Sequence, residues 1–505
     1  MSGLPILTLL TLLPLAGAVL ALMSGKRARA VALLTSLVSL GVALYVWTQI
    51  PANGSIGLVE QLKWVPSLGI EYRLGVDGLG ALMLVLTALV SLMAIDASIR
   101  VHHSPHLFFA LVLALEAGLF GSFTALNFFH WFLFWEIALI PAFFLIKLWG
   151  GPKRGPAATQ FFVYTMAGSA FLLISFLAVY LCTGSMDFTH LSLLASTGEL
   201  EPLITAHLGP VSLWLAIGVL AGFAVKVPMA PFHTWLPDAY AEAPTPVTML
   251  LTGAMSKMGV YGLLRIALPI FGAQIAQIRT PLLILAVLTV VMGAWASVAQ
   301  KDLKRVFAYS SVNHLGYCLV AIFALAVPAT SAAQQASQAA ALNGVILQMF
   351  NHGITAAAIF WFISILQVRT GGLRGIGDFG GLRKPAPVLA GLMGIALFSS
   401  LGLPGLNGFV GEFLIFRGVF SLSWVAATVS VLGLLVTAAV ILTVIQKVFS
   451  GPVPEPYANF ADLHAGERLA LAPVIALMLI LGLVPQLIVD SVNPTVVNLL
   501  THWRF

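Results

Sequence analysis

Six ionisable side chains lie deep within apolar stretches of the chain. Glu136 sits in Phe132-Leu133-Phe134-Trp135-Glu136-Ile137, Lys226 immediately before Val227-Pro228, and Lys257 in Met255-Ser256-Lys257-Met258-Gly259. His314 follows Ser310-Ser311-Val312-Asn313, His352 lies in Asn351-His352-Gly353, and Glu412 follows Gly408-Phe409-Val410-Gly411. A lysine at the centre of a bilayer costs about 2.5–3.5 kcal/mol on insertion scales, and carboxylates, lysines and histidines inside membranes are the usual material of proton relays. Imidazole gains and loses its proton near neutral pH. A buried carboxylate and a buried ammonium are each expensive alone and tolerated when paired. Glu136 and Lys226 are therefore expected to share an ion pair whose opening couples protonation to geometry. Lys257 and His314 would continue the chain and Glu412 would end it. His352 fits either the relay or the packing of its own helix. The set points to ion translocation without selecting the ion.

Other polar residues suit quieter roles. Glu116 reads as packing polarity and His233 as helix capping or packing. Arg265 and Arg417 fall near the ends of apolar runs, where long basic side chains reach for the interface. His102, His103 and His106 have no carboxylate or cysteine company, so no metal is expected there. Cys182 and Cys318 occupy separate apolar runs without partner spacing, which predicts neither a metal site nor a disulfide. No phosphate-cradling glycine loop, flavin site or haem-ligand pair stands out, so redox chemistry is not expected on this chain.

The elements that must position these residues are membrane helices. The 505 residues are 60% hydrophobic and 8% charged, with a mean hydropathy of +1.01. Apolar runs of about 20 residues recur from end to end, each able to cross a hydrocarbon core of about 30 Å. The expected fold is an all-α polytopic membrane protein of about 14 transmembrane helices. Two spans are broken, 208–238 at Lys226-Val227-Pro228 and 386–420 at Leu403-Pro404-Gly405, because proline cannot donate a backbone bond and clashes with the preceding turn. Gly/Pro-interrupted spans in corresponding places of two halves suggest an inverted-repeat transporter with ion sites at the breaks. The division that follows is 1–105 as a three-span addition, 106–267 and 281–450 as two five-helix repeats (spans 4–8 and 9–13), and 467–505 as a carboxyl-terminal span. The first run, 4–23, lacks a preceding basic segment and reads as a span rather than a signal peptide. Segment 50–76 suits a short hairpin, 184–207 an outside loop, and 451–466 a proline-rich linker.

Most of the 24 lysines and arginines fall in loops on one side, among them Lys26, Arg27, Arg100, Lys153, Lys301, Arg374, Arg383 and Lys384. The opposite segments hold only Lys63, Arg73, Arg279 and Arg504. Basic loops stay inside, which predicts both termini outside. The net charge of +6 reflects this topology and does not indicate nucleic-acid binding.

Together these motifs carry a resemblance. Phe134-Trp135-Glu136 with Pro141, Lys226-Val227-Pro228 with Pro231-Phe232-His233-Thr234-Trp235-Leu236-Pro237-Asp238, Lys257-Met258-Gly259, Lys304-Arg305-Val306-Phe307-Ala308-Tyr309-Ser310-Ser311 with His314-Leu315-Gly316, and Gly408-Phe409-Val410-Gly411-Glu412-Phe413 resemble the antiporter-like subunits of respiratory complex I. These are related to the large subunits of Mrp-type cation/proton antiporters. The likeness runs over roughly 75–485. Glu412, where L- and N-type subunits carry lysine, and the ending after the last span are similar to the M-type subunits.

The resemblance implies two inverted five-helix repeats. It gives Glu136 and Lys226 the roles of the span-5 and span-7 pair, Lys257 that of the central lysine, His314 and His352 those of bridging histidines, and Glu412 that of the terminal residue. It implies a bacterial inner membrane location with periplasmic termini, flanking L-type and N-type subunits, and no cofactor on this chain. NADH, FMN, iron–sulfur clusters and quinone would belong to other subunits. The chain would then be a non-redox part of a proton-translocating NADH-quinone oxidoreductase. Two rivals remain at this stage: a subunit of an Mrp-type Na⁺/H⁺ antiporter or of a membrane-bound hydrogenase or ferredoxin-linked complex, and a spacer that no longer pumps.

Overall fold

The computed structural model describes residues 5–505. The first four residues, where the predicted first span, the three-span addition and the predicted outside amino terminus begin, lie outside the described residues. From the amino end come α1 (Ile6–Met23), α2 (Ala28–Thr48), a hairpin of β1 (Gly57–Val65) and β2 (Ile70–Val76), then α3 (Gly78–Ala97), α4 (Pro105–Thr124), α5 (Phe128–Trp149) and α6 (Arg154–Thr183). Two short helices, α7 (Phe188–Thr197) and α8 (Leu200–Leu208), precede α9 (Ser212–Lys226) and α10 (Trp235–Glu242). Next are α11 (Thr245–Gln277), α12 (Arg279–Val298), α13 (Leu303–Leu325) and α14 (Ala332–Arg369). The chain closes with α15 (Pro387–Ser400), α16 (Asn407–Leu422), α17 (Trp424–Phe449), α18 (Ala465–Leu483) and α19 (Gln486–His502).

Among the described residues 12 helices are long and apolar enough to cross a membrane, or 13 if the bent α8–α9 pair counts as one span. The apolar windows of α13 and α14, which carry His314 and His352, are 94% and 100% buried, whereas those of α2 and α17 are 33% buried. The outer surface of the chain is therefore at α2 and α17, and the helices bearing the relay candidates are shielded by protein. At one end of the bundle lie the hairpin and α7; at the other lie the basic loops.

Both predicted breaks are present. At the first, α9 stops at Lys226 and α10 starts at Trp235. The backbone between them is satisfied locally: Met229 N–H donates to Ala224 O (2.8 Å), Ala230 N–H to Thr289 Oγ1 (2.9 Å) and Trp235 Nε1 to Val225 O (3.0 Å). Irregular backbone at membrane depth survives only where protein or a water-filled cavity surrounds it, and here protein does. The second break, 401–406, turns through Gly402 (φ +78°) and Gly405 (φ +92°), positions that favour glycine. Gly408 has no room for a side chain: a Cβ there would lie 2.0 Å from Ser399 O.

Three expectations change. The segment 184–207 holds two helices, capped by Asp187 on the His190 amide (2.9 Å) and ended by Gly198 and Gly209 in positive-φ conformations. The axis of α8 is bent 106° from α9, so the broken span begins at Ser212. The predicted single span 467–500 is two helices, parted at Val484-Pro485 because proline ends the hydrogen-bond ladder. The hairpin at 50–76 forms as expected, with Glu60 opposite Leu74 and Lys63 opposite Glu71. Its Glu60 carboxylate accepts from the Leu7 (2.7 Å) and Thr8 (3.0 Å) amides, a favourable charge at the start of α1. Segment 451–466 holds a single 3₁₀ turn, Glu455–Tyr457, before α18 begins at Ala465.

Candidate functional site

Four of the six candidates meet in one buried line. Lys257 opens it from the middle of α11, between two π-helical turns at Leu251–Met255 and Leu263–Ala267. Such turns inside helices mark functional positions often enough to notice, and here the reason is local. The turn pairs Ser256 N–H with Leu251 O (3.0 Å), which leaves Thr252 O to accept from Lys257 Nζ (2.5 Å). The same ammonium lies 2.8 Å from His352 Nδ1 and 3.3 Å from Ser256 Oγ.

From His352 the line crosses to His314, the ring centroids being 5.3 Å apart. His314 Nδ1 is 2.9 Å from Glu412 Oε1, and its Nε2 is 3.3 Å from Ser400 Oγ. Gln348 Nε2 donates to the same Glu412 oxygen (3.2 Å). His314, His352, Gln348, Ser400 and Glu412 line a cavity of ≈10 Å³, room for about one water. All of these side chains are buried. The helix ends that hold Glu412 are pinned by a second cluster: Asn351 Nδ2 donates to Asn407 O (2.7 Å), and Ser399 Oγ to Asn407 Oδ1 (2.6 Å).

Glu136 and Lys226 stand apart, and the expected ion pair between them is not formed. Lys226 Nζ and Glu136 Oε1 are buried atoms with no hydrogen-bond partner among the described residues. The reason is geometric. Trp135, fixed through Nε1 to Ser169 Oγ (3.0 Å), places its ring 4.7 Å from Lys226 Nζ. Glu136 comes one residue later on the helix, on the face shared with exposed Leu133 and Ile140, and lies near Lys226 without a hydrogen bond to it. Lys226 nevertheless lies close to α11. A Cβ at Gly259 would be 2.6 Å from Val227 Cγ2 and 3.2 Å from Lys226 Cβ, so glycine at 259 allows this approach.

The remaining polar residues sort as follows. Glu116 is fully buried and accepts from Ser36 Oγ (2.7 Å), away from the line. Arg265 does not reach for solvent as expected. It is 9% exposed and paired with Asp77, the N-cap of α3, because a carboxylate within reach holds the guanidinium better than a longer path to the surface. Arg417 is exposed. The His233 side chain caps no helix end among the described residues, and its Nδ1 is buried without a partner there.

Sequence reasoning missed Gln348, Ser400 and the π turns. Gln348 lies four residues before His352, the spacing that puts two side chains on one helix face, and that was the available signal. It also missed an ionic knot at the basic end. There Arg374 bonds Asp302 Oδ2 (2.6 Å) and Glu242 Oε1 (3.2 Å), while Lys304 Nζ donates to Ala243 O (2.5 Å).

A broken-helix bundle with this buried line defines an antiporter-like membrane subunit, and comparison with known proteins gives the family. Residues 125–438, which hold all six candidates, match the family described as NADH:quinone oxidoreductase/Mrp antiporter, TM, and the chain belongs to it. The chain is 35% identical over 511 residues to NADH-quinone oxidoreductase subunit M of Rhodobacter capsulatus, covering 99% of this chain and 97% of that one. It is also similar to a chain of respiratory complex I from Thermus thermophilus with bound NADH (28% identity, TM-score 0.86, 99% and 100% covered). It shares its fold with a chain of the Mrp complex from Dietzia sp. DQ12-45-1b (21% identity, TM-score 0.84, 98% and 97% covered).

Proposed function

We propose that this chain is a proton-translocating, antiporter-like membrane subunit of a complex-I-type NADH-quinone oxidoreductase. The observation that carries the reading is the line of buried groups from Lys257 to His352, across a 5.3 Å separation of ring centroids to His314, and on to Glu412. A proton on Lys257 passes along the Nζ–Nδ1 contact to His352, crosses to the ring of His314, and reaches Glu412, from which it leaves. Each donor is refilled by the group before it, so the line carries one charge at a time. Lys226 is the switching group. It holds a buried charge without a hydrogen-bond partner among the described residues, and Glu136 is its intended partner when the site closes.

Electron transfer elsewhere drives the cycle. Moving one charge against 100 mV costs about 2.3 kcal/mol, and a passive path would collapse the gradient. NADH, FMN, iron–sulfur clusters and quinone belong to other subunits, and this chain carries no redox step. The basic loops support an inner-membrane orientation with both termini and the hairpin on the periplasmic side. L-type and N-type subunits would cover the two flanks, and the two broken helices would mark two inverted five-helix repeats. Glu412 in place of a lysine speaks against exchange of Na⁺ for H⁺.

The test is Lys226→Ala in the complete complex, in sealed vesicles, with NADH-driven electron transfer and proton uptake followed together. Loss of both in an assembled complex is expected. Full activity in both sinks the relay assignment.

A further inference from the structure

Lys257 is held by Thr252 O and Ser256 Oγ, and behind those two residues stands a group outside the line. Tyr240, on α10, is buried. Its hydroxyl lies beside Ser256 and Thr252. Its ring meets Phe360 of α14 edge-on, the centroids 6.4 Å apart, and its carbonyl accepts from Thr248 Oγ1 (2.9 Å). One side chain of α10 thus reaches the residues of α11 that bond the ammonium.

The helix ladder alone does not fix where that hydroxyl goes. α10 is eight residues long, and residues 227–234 separate it from α9. No run of helical hydrogen bonds carries the position of α9 across that gap. The last carbonyls of a helix have no partner within it, and at this end of α10 basic side chains supply one. Arg374 Nη1 donates to Ala241 O (2.5 Å), its Nη2 to Glu242 Oε1 (3.2 Å), and its Nε bonds Asp302 Oδ2 (2.6 Å). Lys304 Nζ donates to Ala243 O (2.5 Å). Cations at a helix C-terminus are favourable, and a guanidinium presents its donors in a rigid fork. Arg374 therefore ties the end of α10, just beyond Tyr240, to Asp302, the N-cap of the helix that carries His314.

We propose that Tyr240 is a positioning residue for Lys257 and that Arg374 sets it from the basic end of the molecule. The hydroxyl keeps Ser256 and Thr252 turned to the ammonium, and Arg374 keeps α10 close enough for the hydroxyl to reach them. This inference rests on the reading of Lys257 as the head of the relay.

The experiment uses the complete complex in sealed vesicles, with NADH-driven proton uptake normalised to assembled complex. Tyr240→Phe, Arg374→Gln, the double variant and Lys257→Ala are compared with the unaltered protein. Tyr240→Phe keeps the ring on Phe360 and removes only the hydroxyl. Each of the first two variants is expected to lower uptake about threefold, the effect of one neutral hydrogen bond. The double variant is expected to be no worse than either single one, because residues that act through one contact are not additive. A purely structural role for Arg374 would instead multiply the losses to about ninefold. That outcome overturns the proposal, as does full uptake with either single variant. If Arg374→Gln does not assemble, Arg374→Lys replaces it: lysine keeps the charge without the fork, and the same non-additive loss is expected. Full uptake with Lys257→Ala brings down the relay reading and this inference with it. Impaired uptake there with full uptake in Tyr240→Phe brings down this inference alone.

Discussion

Two buried lysines on neighbouring helices meet opposite surroundings. Lys257 is held by Thr252 O, Ser256 Oγ and His352 Nδ1, and the contacts continue to Glu412. Lys226 faces the ring of Trp135 and has no hydrogen bond among the described residues. An ammonium that is fully bonded is a stage in a line. An ammonium buried without a hydrogen bond from the protein is a charge that another arrangement must satisfy, and such bistability is what a switch requires. The difference assigns conduction to the Lys257 region and gating to the Lys226 region, and it is open to attack from either side.

The largest effect is expected at Lys257. Lys257→Ala removes the head of the line and leaves His352 Nδ1 and Thr252 O facing a void. Positioned acid–base groups contribute at least on the order of 10²-fold, so NADH-driven proton uptake should fall by about that factor in vesicles while the complex stays assembled. Uptake within about twofold of normal would remove conduction from this region.

The next break is at the contact between the regions. A Cβ at Gly259 would lie 2.6 Å from Val227 Cγ2 and 3.0 Å from Val227 N, so Gly259→Ala pushes α9 away from α11. Overpacking costs about 1–3 kcal/mol, and about 1 kcal/mol is roughly a factor of five. Proton uptake should fall about fivefold with both lysines untouched. If Gly259→Ala pumps normally, the two regions do not communicate through this approach.

These positions also mark how far the residues alone could be read. The six ionisable groups stand out because charge in an apolar run is rare, and both broken helices stand out because Pro and Gly interrupt the pattern. Which groups touch was not readable. His352 could have been packing, and only the fold places it between Lys257 and His314. Glu136 and Lys226 looked like a pair, yet one residue of helical rotation gives Trp135 the place facing Lys226. The π turns have no composition signature, since Leu251-Thr252-Gly253-Ala254-Met255 suits an ordinary helix equally well. The split of the last helix is legible in Pro485, although the apolar residues that continue on both sides give the pattern of a single span.

The smallest effect is one of stability, and its sign is the sharpest test of the comparison. Lys226→Leu removes a buried ammonium that has no hydrogen bond. A buried unmade donor costs about 1–3 kcal/mol, and the lost contact with Trp135 offsets about 0.5–2 kcal/mol of that. Lys257→Leu instead strips partners from His352 and Thr252 and leaves them buried. Cys318 is a fully buried thiol on α13, so its reaction with a maleimide during a heating ramp reports local opening. The opening temperature should rise by about 1–3 °C for Lys226→Leu and fall by at least as much for Lys257→Leu. Shifts of the same sign would mean that the two lysines share one kind of environment. The gating role would then have to be sought at Glu136 on the partly exposed side of α5, where a neighbouring subunit could supply what Lys226 lacks.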